Sequence, residues 1–333
     1  MPRSGPPRPT IVDVARAAGV SKSLVSAALR GDAGVSADSR RRVADAAHAL
    51  GYRRNGWAQR LVSGRSELLG VLLTDLRNGY HTDIVNGLED AAAAAGYGVV
   101  LAHGRQDPAL LRRRLADLVG LGVDAVVAVT ARLDERDLAD AAARLPVVVV
   151  GRPRAVPDGV GWVSNDDETG ARLAVEHLLA AGHTRIAFLT ASDRPAATAR
   201  RDAYRAAAGT TGLEFDARAD GVERLLEAVR RPGGPTAAFA ANDRVAVGLL
   251  AAAADRGVAV PGELAVVGYD NTELAELVRP RLTSVDQPRA AMGRAAASQA
   301  LALLDGGPAG REVAAPTLVV RESSRPACPP SSR

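Results

Sequence analysis

Apolar residues recur at helical spacing in three short stretches near the start of the chain. The first follows Thr10, which is suited to be an N-cap, continues through Val12, Ala15 and Ala18, and ends at Gly19. The second and third begin after Ser21 and Ser36, and their apolar positions are Leu24, Val25, Ala28 and Leu29, then Val43, Ala46, Ala47 and Leu50. Three short helices with a tight turn between the first two predict a helix-turn-helix domain.

A different pattern fills the rest of the chain. An Ala/Leu-rich helical segment, a glycine and a few polar residues precede a continuous apolar run. The clearest copies pair Gly96 with the run from Gly98, Gly122 with that from Val126, Gly182 with that from Ile186, and Gly257 with that from Leu264. Each glycine ends a helix, and each run fits a strand buried on both faces. This alternation predicts parallel sheets covered by helices, with ligands at the carboxyl ends of the strands.

The balance of charged residues in the 333-residue chain also changes between the three predicted helices and the rest of the chain. Residues 1–65 carry 12 Lys/Arg against 4 Asp/Glu, whereas the remainder carries 30 against 34. A basic head on an acidic body indicates nucleic-acid binding at one end, and a solvated basic tail is the alternative. Four polar side chains lie at the start of the second predicted helix, where a recognition helix contacts base edges and phosphates. These residues are Ser21, Lys22, Ser23 and Ser26. The alternative interpretation of the first two helices is a purely structural helical hairpin.

The sequence lacks several targeting, catalytic and metal-binding motifs, and these absences limit the compartments and the chemistry that we expect. Residues 1–9 have no apolar signal core, and no run approaches the ~18 apolar residues of a membrane span, so we expect a cytoplasmic protein without a membrane partner. Cys328 is the single cysteine, which excludes an internal disulfide and a multi-cysteine zinc site. No P-loop, nucleophile elbow or paired-histidine zinc motif occurs. Asp166-Asp167 is a carboxylate pair that we interpret as the polar end of a strand and the start of the next helix. We predict no catalytic residue, cofactor or metal.

The head resembles the DNA-binding domain of the LacI/GalR family of bacterial transcription regulators. The match is carried by Thr10-Ile-Val-Asp-Val-Ala-Arg-Ala-Ala-Gly-Val-Ser21, Leu24-Val25-Ser26, Val35-Ser36 and Leu50-Gly51-Tyr52. Asn55 to Leu61 is similar to the family's hinge helix, which folds in a dimer on operator DNA and wedges Leu61 into the minor groove. The DNA-binding residues that the resemblance implies are Thr10, Ser21, Lys22, Ser23, Leu24, Ser26, Ala27, Arg30, Asn55, Ala58, Gln59 and Leu61.

Departures from the family pattern predict an altered operator preference. Ala27 cannot make the bidentate guanine contact that an arginine makes there. Lys22 and Ser23 are then the first candidates for base contacts, with Leu24 against a thymine methyl. Gly56 costs about 1 kcal/mol relative to alanine within a helix, so the hinge is expected to be disordered off DNA. The arginines at 40–42 and 53–54 are expected to contact phosphate or cover nearby acidic surface.

The resemblance extends through the body, carried by Val163-Ser-Asn-Asp166, Ala241-Asn-Asp243, Val266-Val-Gly-Tyr-Asp270, Leu282-Thr-Ser-Val and Gln287. It implies the fold of periplasmic sugar-binding proteins, with crossovers near Trp162, Pro288 and Pro316. The implied effector-binding residues are Asp75, Tyr80, His81, Arg200, Asn242 and Asp270. Their groups suit the hydroxyls of a sugar or sugar derivative. Alternatively, Asp270 and Asn242-Asp243 are helix caps and Arg200 belongs to a solvated face.

The predicted fold class is α/β: an N-terminal helix-turn-helix three-helix head and a hinge helix, then a two-subdomain periplasmic-binding-protein-like parallel α/β body. The expected domains are a disordered arm (1–9), the DNA-binding domain (10–54), the hinge helix (55–65), an effector-binding and dimerisation domain (66–323) and a disordered tail (324–333). Within that domain the N-subdomain spans about 66–162 and 289–316, and the C-subdomain about 163–288 and 317–323.

These features together predict an effector-responsive DNA-binding transcription regulator, a repressor of carbohydrate-utilisation genes that binds a near-palindromic operator as a homodimer. A coupling free energy of about 1–3 kcal/mol between the effector and DNA sites would change operator affinity roughly 5–150-fold. The alternative is a sugar-binding protein of transport or sensing without specific DNA recognition. The basic head and the missing signal peptide both oppose that alternative.

Overall fold

The computed structural model describes residues 9–30, 32, 34–52, 65–209 and 213–324. The chain forms two compact units, Met1–Ser66 and Glu67–Arg333. Several predicted features lie outside the described residues. These are the arm up to residue 8, the hinge positions Asn55, Ala58, Gln59 and Leu61, the arginines at 53 and 54, and the tail from residue 325 with Cys328.

The first unit contains three helices, α1 (Ile11–Ala18), α2 (Lys22–Arg30) and α3 (Ala37–Ala49). Each begins after a side-chain cap at the predicted residue. Thr10 forms a capping box with Asp13, the Ser21 hydroxyl accepts a hydrogen bond from the Leu24 N–H at 3.2 Å, and Ser36 caps α3. The polar residues at the predicted helix starts therefore satisfy backbone donors that would otherwise be unpaired.

The core of the head is made by α1, α2 and α3 together and consists of Val14, Ala15, Ala18, Val25, Val43 and Ala47. The prediction that Val12 belongs to this core is wrong, because Val12 is 48% exposed. Ile11 and Val14 take the inward positions, since they share a helical face with Ala15 and Ala18. Gly19 ends α1 at φ 63°, as its place in the turn predicted.

Two of the head's arginines connect its elements through backbone carbonyls. Arg40 donates from Nη2 to the carbonyl oxygen of Asp32 at 2.8 Å. Arg42 donates from Nη2 to the carbonyl oxygen of Ala18 at 2.5 Å, at the end of α1. Arg41 is exposed, with Nη2 3.9 Å from a carboxylate oxygen of Asp38. Arg40 and Arg42 therefore tie α3 to preceding backbone, and the expected phosphate contacts of residues 40–42 stay a prediction.

The body contains two six-stranded sheets. Strands of the first sheet are β1 (Leu68–Leu73), β2 (Gly98–His103), β3 (Ala125–Val129), β4 (Val147–Val150), β5 (Gly161–Asn165) and β11 (Arg311–Ala314). Strands of the second sheet are β6 (Ile186–Thr190), β7 (Glu214–Asp216), β8 (Ala237–Ala240), β9 (Ala265–Asp270), β10 (Thr283–Asp286) and β12 (Thr317–Val319). The orders are β11-β5-β4-β3-β1-β2 and β12-β10-β9-β8-β6-β7. All pairings are parallel except that of β10 with β12.

Helices cover both faces of these sheets. They are α4 (Gly79–Ala94), α5 (Pro108–Gly120), α6 (Glu135–Ala142), α7 (Asp167–Ala180), α8 (Pro195–Ala208), α9 (Gly221–Val229), α10 (Asp243–Asp255), α11 (Glu273–Leu277) and α12 (Arg289–Leu304), followed by a short 3-10 helix at Glu322–Ser324. Leu69 and Leu73 pack in the core with α4 and α12, whereas Leu72 packs in the core with α5. This two-sided burial explains why the strands are continuous apolar runs. No helix of the described part is long and apolar enough to cross a membrane.

The chain crosses between the sheets at three places. It first leaves the first sheet after Asn165, returns through Pro288 at the start of α12, and leaves again at Pro316 between β11 and β12. The first crossover, expected near Trp162, follows Asn165, because Trp162 is itself part of β5 and pairs with Val149 of β4. The first subdomain therefore continues to Asn165.

Two glycines allow α4 and α12 to pack closely against each other. A Cβ at Gly87 would overlap the backbone of Ala290, and a Cβ at Gly293 would overlap the carbonyl oxygen of Ile84. The atoms that would be displaced are backbone atoms, which cannot rotate away as a side chain could. The crossover helix α12 is thus fixed to α4 by backbone contact at a position that tolerates only glycine.

We expect Gly293→Ala to lower the free energy of unfolding by about 1–3 kcal/mol, because the added methyl group overpacks the α4–α12 contact. Gly248→Ala is the matched control, since Gly248 is exposed on α10 and a Cβ there meets nothing within 4 Å. That control should raise the free energy of unfolding by about 0.5–1 kcal/mol. Urea denaturation followed by circular dichroism measures both. Equal effects of the two substitutions would contradict the close packing.

Candidate functional site

A cluster of charged and aromatic side chains lies at the carboxyl ends of the strands, with Arg200 at its centre. Arg200 is 8% exposed. Its Nε donates to Oδ1 of Asp167 at 2.8 Å, and its Nη1 donates to the carbonyl oxygen of Ala241 at 2.6 Å. Nη1 is also 3.6 Å from Oδ1 of Asp270, and the guanidinium carbon lies 3.6 Å from the ring centroid of Tyr269. Arg200 is therefore a buried, oriented cation and not part of a solvated face.

Asp270 ends β9 and is brought against Arg200. Its backbone has φ 100°, in the left-handed region, and Gln287 donates from Nε2 to its Oδ1 at 2.6 Å. Burial raises the pKa of Asp270 to about 7, and the positive charge of Arg200 opposes that increase. Asp270 does not cap the next helix, because the N-cap of α11 is Thr272. The structure thus favours a site role for this carboxylate over the capping alternative.

Asn242 and Asp243 have the structural roles that the sequence left open. Asn242 caps α10, its Oδ1 accepting from the Val245 N–H at 2.9 Å. Asp243 is buried and accepts from the N–H of Thr272 at 2.7 Å and from the hydroxyl of Ser284 at 2.5 Å. Burial raises the pKa of Asp243. These contacts hold the loop after β9 in place and position Asp270 beside Arg200.

The first subdomain contributes Asp75, Tyr80 and His81, and they do not all reach the same place. Asp75 is 4% exposed, and its Oδ2 accepts from Nε2 of Gln106 at 3.0 Å and from Nη2 of Arg77 at 3.2 Å. Hydrogen bonds from these two residues hold its pKa well below the ordinary value. Nδ1 of His81 is 2.9 Å from the carbonyl oxygen of Asp75, and burial lowers the pKa of His81.

Tyr80 lies edge-to-face against His81, with ring centroids 5.6 Å apart, and packs against the core of the first subdomain. Burial raises its pKa, and the negative charges of Asp270 and Asp167 raise it further. Of the six predicted effector residues, direct contacts join Arg200 to Asp270 in the second subdomain, and join His81 to Asp75 and Tyr80 in the first.

Sequence reasoning missed four residues of this site, which are Asp167, Gln287, Arg152 and Arg289. Asp166 of the Asp166-Asp167 doublet caps α7 as interpreted, but Asp167 pairs with Arg200. Arg152 donates to both carboxylate oxygens of Glu168, at 2.9 and 2.7 Å. Arg289 joins the second crossover to α4 by donating from Nε to Asp83 at 2.8 Å. The carboxylate doublet at a strand end was the available signal for Asp167.

The predicted DNA-binding residues that the structure describes are Thr10, the N-cap of α1, and seven positions between Ser21, which precedes α2, and Arg30, its last residue. Thr10, Ser21, Lys22 and Ser23 are exposed, whereas Leu24, Ser26 and Ala27 are half-buried. The hydroxyls of Thr10 and Ser21 accept hydrogen bonds from backbone N–H groups of their own helices. Lys22 and Ser23 are therefore exposed at the N-terminus of α2, and neither side chain is used as a helix cap.

A three-helix head with an exposed polar helix start, joined to a two-sheet body with a polar cluster at its strand ends, defines a transcription regulator with a ligand-binding domain of the periplasmic type. Residues 10–55 match the model of bacterial regulatory proteins of the lacI family, and residues 175–324 match the periplasmic binding protein-like domain.

The chain belongs to the lacI family of bacterial regulatory proteins. It is 32% identical over 301 residues to catabolite control protein A of Priestia megaterium, covering 86% of this chain and 90% of the relative. It is also similar to the lac repressor dimer bound to operator and the anti-inducer ONPF, with a TM-score of 0.82, 28% identity, and coverage of 96% and 99% of the two chains. The complex of the transcriptional regulator CelR with cellobiose matches with a TM-score of 0.68 and 31% identity, covering 95% and 100%.

Proposed function

We propose that this protein is a homodimeric repressor of carbohydrate-utilisation genes. In this role α2 enters the major groove of a near-palindromic operator and Leu61 enters the minor groove. A sugar or sugar derivative bound at the strand ends of the body changes operator affinity. The similarity to an operator-bound lac repressor dimer and to a cellobiose-bound regulator supports these partners. The protein is proposed to act in the cytoplasm and to perform no catalytic step.

The observation that carries the effector part is the cluster around Arg200. Arg200 and Asp270 lie together in the second subdomain, and Tyr80 of the first subdomain is the predicted third member. A polyol between them would accept hydrogen bonds from the phenol and guanidinium and donate to the carboxylate. Nη2 of Arg200 has no acceptor among the described residues and is available for this purpose. The described part contains no group of three or more metal-ligating side chains arranged to hold an ion.

A ligand held by both subdomains would favour one arrangement of the body over another. The hydrogen bond from Nη2 of Arg289 to the carbonyl oxygen of Asn271 at 2.9 Å, which joins α12 to the loop after β9 of the second subdomain, is a contact that such a rearrangement would change. A coupling free energy of about 1–3 kcal/mol would change operator affinity roughly 5–150-fold. By linkage, operator DNA would change effector affinity by the same factor.

Fluorescence-anisotropy titration of the full chain with its own upstream DNA and with a scrambled duplex, at two salt concentrations, tests the proposal. We expect a preference of ~10³ or more for the upstream DNA and a steep loss of affinity with salt. A panel of sugars should contain a member that shifts the curve. Equal, weak binding to both duplexes would contradict the proposal and favour a sugar-binding protein without specific DNA recognition.

In the same titration, Lys22→Ala is expected to weaken upstream-DNA binding by about 1–3 kcal/mol, because it removes an exposed cation at the start of the recognition helix. Arg136→Ala is the matched control, since the Arg136 side chain is 89% exposed and belongs to α6 of the body. Its operator affinity should equal that of the wild type. Unchanged binding by the Lys22 variant would remove Lys22 from the interface.

A further inference from the structure

Arg289 connects the two subdomains directly after the second crossover. It is the first residue of α12, which belongs to the first subdomain, and its side chain is 11% exposed. Its Nε donates to Oδ2 of Asp83 on α4 at 2.8 Å. Its Nη1 donates to the carbonyl oxygen of Asp270, and its Nη2 donates to that of Asn271 at 2.9 Å. One guanidinium therefore binds a helix of the first subdomain and the loop after β9 of the second.

The two residues whose carbonyl oxygens Arg289 binds have a strained backbone. Asp270 has φ 100° and Asn271 has φ 48°, both in the left-handed region that residues with a side chain disfavour. Such a conformation persists only where surrounding contacts hold it. The second subdomain supplies the hydrogen bonds of Asn271 to the Ser284 hydroxyl at 3.0 Å and to Oδ1 of Asp286 at 2.9 Å. The bonds from Arg289 hold the same loop from the first subdomain.

Asp270 also carries the carboxylate of the proposed effector site. Its Oδ1 lies 3.6 Å from Nη1 of Arg200 and accepts from Nε2 of Gln287 at 2.6 Å. Its carbonyl oxygen accepts from Arg289. A ligand that changes the position of this carboxylate therefore acts on the residue that Arg289 binds. The change reaches α4, because Asp83 orients the same guanidinium and α12 is packed against α4 by backbone contact.

We propose that Arg289 is the positioning residue that couples the effector carboxylate to the first subdomain. It acts through the main chain of Asp270 and Asn271 and not by contact with the ligand. Its planar guanidinium donates to three acceptors in different directions at once, whereas the ammonium group of a lysine is a single point charge. This proposal rests on the proposed function and names the residue through which effector binding changes the arrangement of the subdomains.

Hydrogen–deuterium exchange of the full chain, without ligand or DNA, tests the coupling. Asp270→Asn is the perturbation, because it removes the carboxylate charge, tolerates the positive φ and keeps the carbonyl oxygen that Arg289 binds. The exchange is measured at about pH 8, above the Asp270 pKa of about 7, so that the wild-type carboxylate is ionised. Asp270→Asn should change the exchange rate of peptides from the first two turns of α4 at least about 3-fold.

The same substitution should change that rate by less than about 1.5-fold in the Arg289→Met background, because the connection to α4 is then lost. Arg294→Met is the matched control, since Arg294 is exposed on α12, and it should keep the full response. Arg289→Lys keeps the charge without the three-way donation, so it should behave as Arg289→Met does. Circular dichroism of each variant establishes that it is folded.

Equal responses of α4 to Asp270→Asn in the wild-type and Arg289→Met backgrounds, or no response in the wild type, would overturn the proposal. Titration of the same proteins with the upstream DNA extends the test. Asp270→Asn should change operator affinity at least about 5-fold in the wild type and less than about 2-fold beside Arg289→Met. Specific DNA binding with an α4 response independent of Arg289 would contradict only the coupling. An α4 response that requires Arg289, in a protein without specific DNA binding, would contradict only the regulator.

Discussion

Replacing Arg200 with alanine is expected to abolish the response of operator binding to the effector and to lower the free energy of unfolding by about 3–5 kcal/mol. The substitution leaves Asp167 and Asp270 partly or fully buried without their cation. It also removes the donor to the Ala241 carbonyl and the contact over the Tyr269 ring. Urea denaturation measures the stability change, and anisotropy with and without effector measures the response.

A matched control and a double variant distinguish the buried pair from a general effect on α8. Arg205 lies on the same helix, is half-exposed, and pairs with Glu214 and Asp202. Arg205→Ala should change the free energy of unfolding by no more than about 1 kcal/mol. Arg200→Met combined with Asp167→Asn should cost less than the sum of the single changes, because no uncompensated charge remains at Asp167. An Arg200→Ala protein of normal stability with a normal effector response would exclude this residue from both roles.

The second large effect concerns pH. Relative to Asp270→Asn, the wild-type protein is expected to lose stability as pH rises from about 4 to about 7. Burial raises the pKa of Asp270 from its ordinary value of 3.8 to about 7, so within this range the folded state holds a proton that the unfolded state releases. Stability therefore falls as pH rises, by up to about 4 kcal/mol above the folded-state pKa. Asparagine suits the position because it tolerates the positive φ.

Denaturation of the wild type and Asp270→Asn at several pH values between 4 and 8 measures this difference. Asp75→Asn is the control, because hydrogen bonds from Gln106 and Arg77 hold the pKa of Asp75 below its ordinary value. The stability that Asp75 contributes is present above the ordinary carboxyl range and is lost only at lower pH, so its difference from wild type should be constant between pH 6 and 8. A pH-independent difference for Asp270→Asn would show that this carboxylate is ionised throughout.

The sequence predicted the helix starts of the head and the helix–glycine–strand units of the body because these depend on short-range physics. Thr10, Ser21 and Ser36 can cap helices independently of the tertiary fold, since their hydroxyls accept hydrogen bonds from N–H groups three residues away. The four helix-ending glycines all have positive φ, between 66° and 90°. Val12 was misplaced because two helical registers fit eight residues of α1, and only packing against α2 and α3 selects one.

The candidate site was only partly predictable. The resemblance led to Arg200 and Asp270, and the structure brings these two together. Asp75, Tyr80 and His81 were assigned to the same site, but their direct contacts are with Gln106, Arg77 and one another. Asp167 was seen in the sequence and assigned to a helix start alone. Its pairing with Arg200 joins α7 to α8, 33 residues apart.

The amino-acid sequence by itself therefore determined the elements, their caps, the parallel α/β class and the basic head. Tertiary structure alone decided which charges are paired with one another. Strand order places the ends of β8 and β9 side by side in the second sheet, where Arg200 bonds to the carbonyl oxygen of Ala241 and pairs with Asp270, and α7 brings Asp167 to the same guanidinium. Electrostatic energies depend on distance and burial, and neither is encoded locally in a chain whose interacting residues are far apart in sequence.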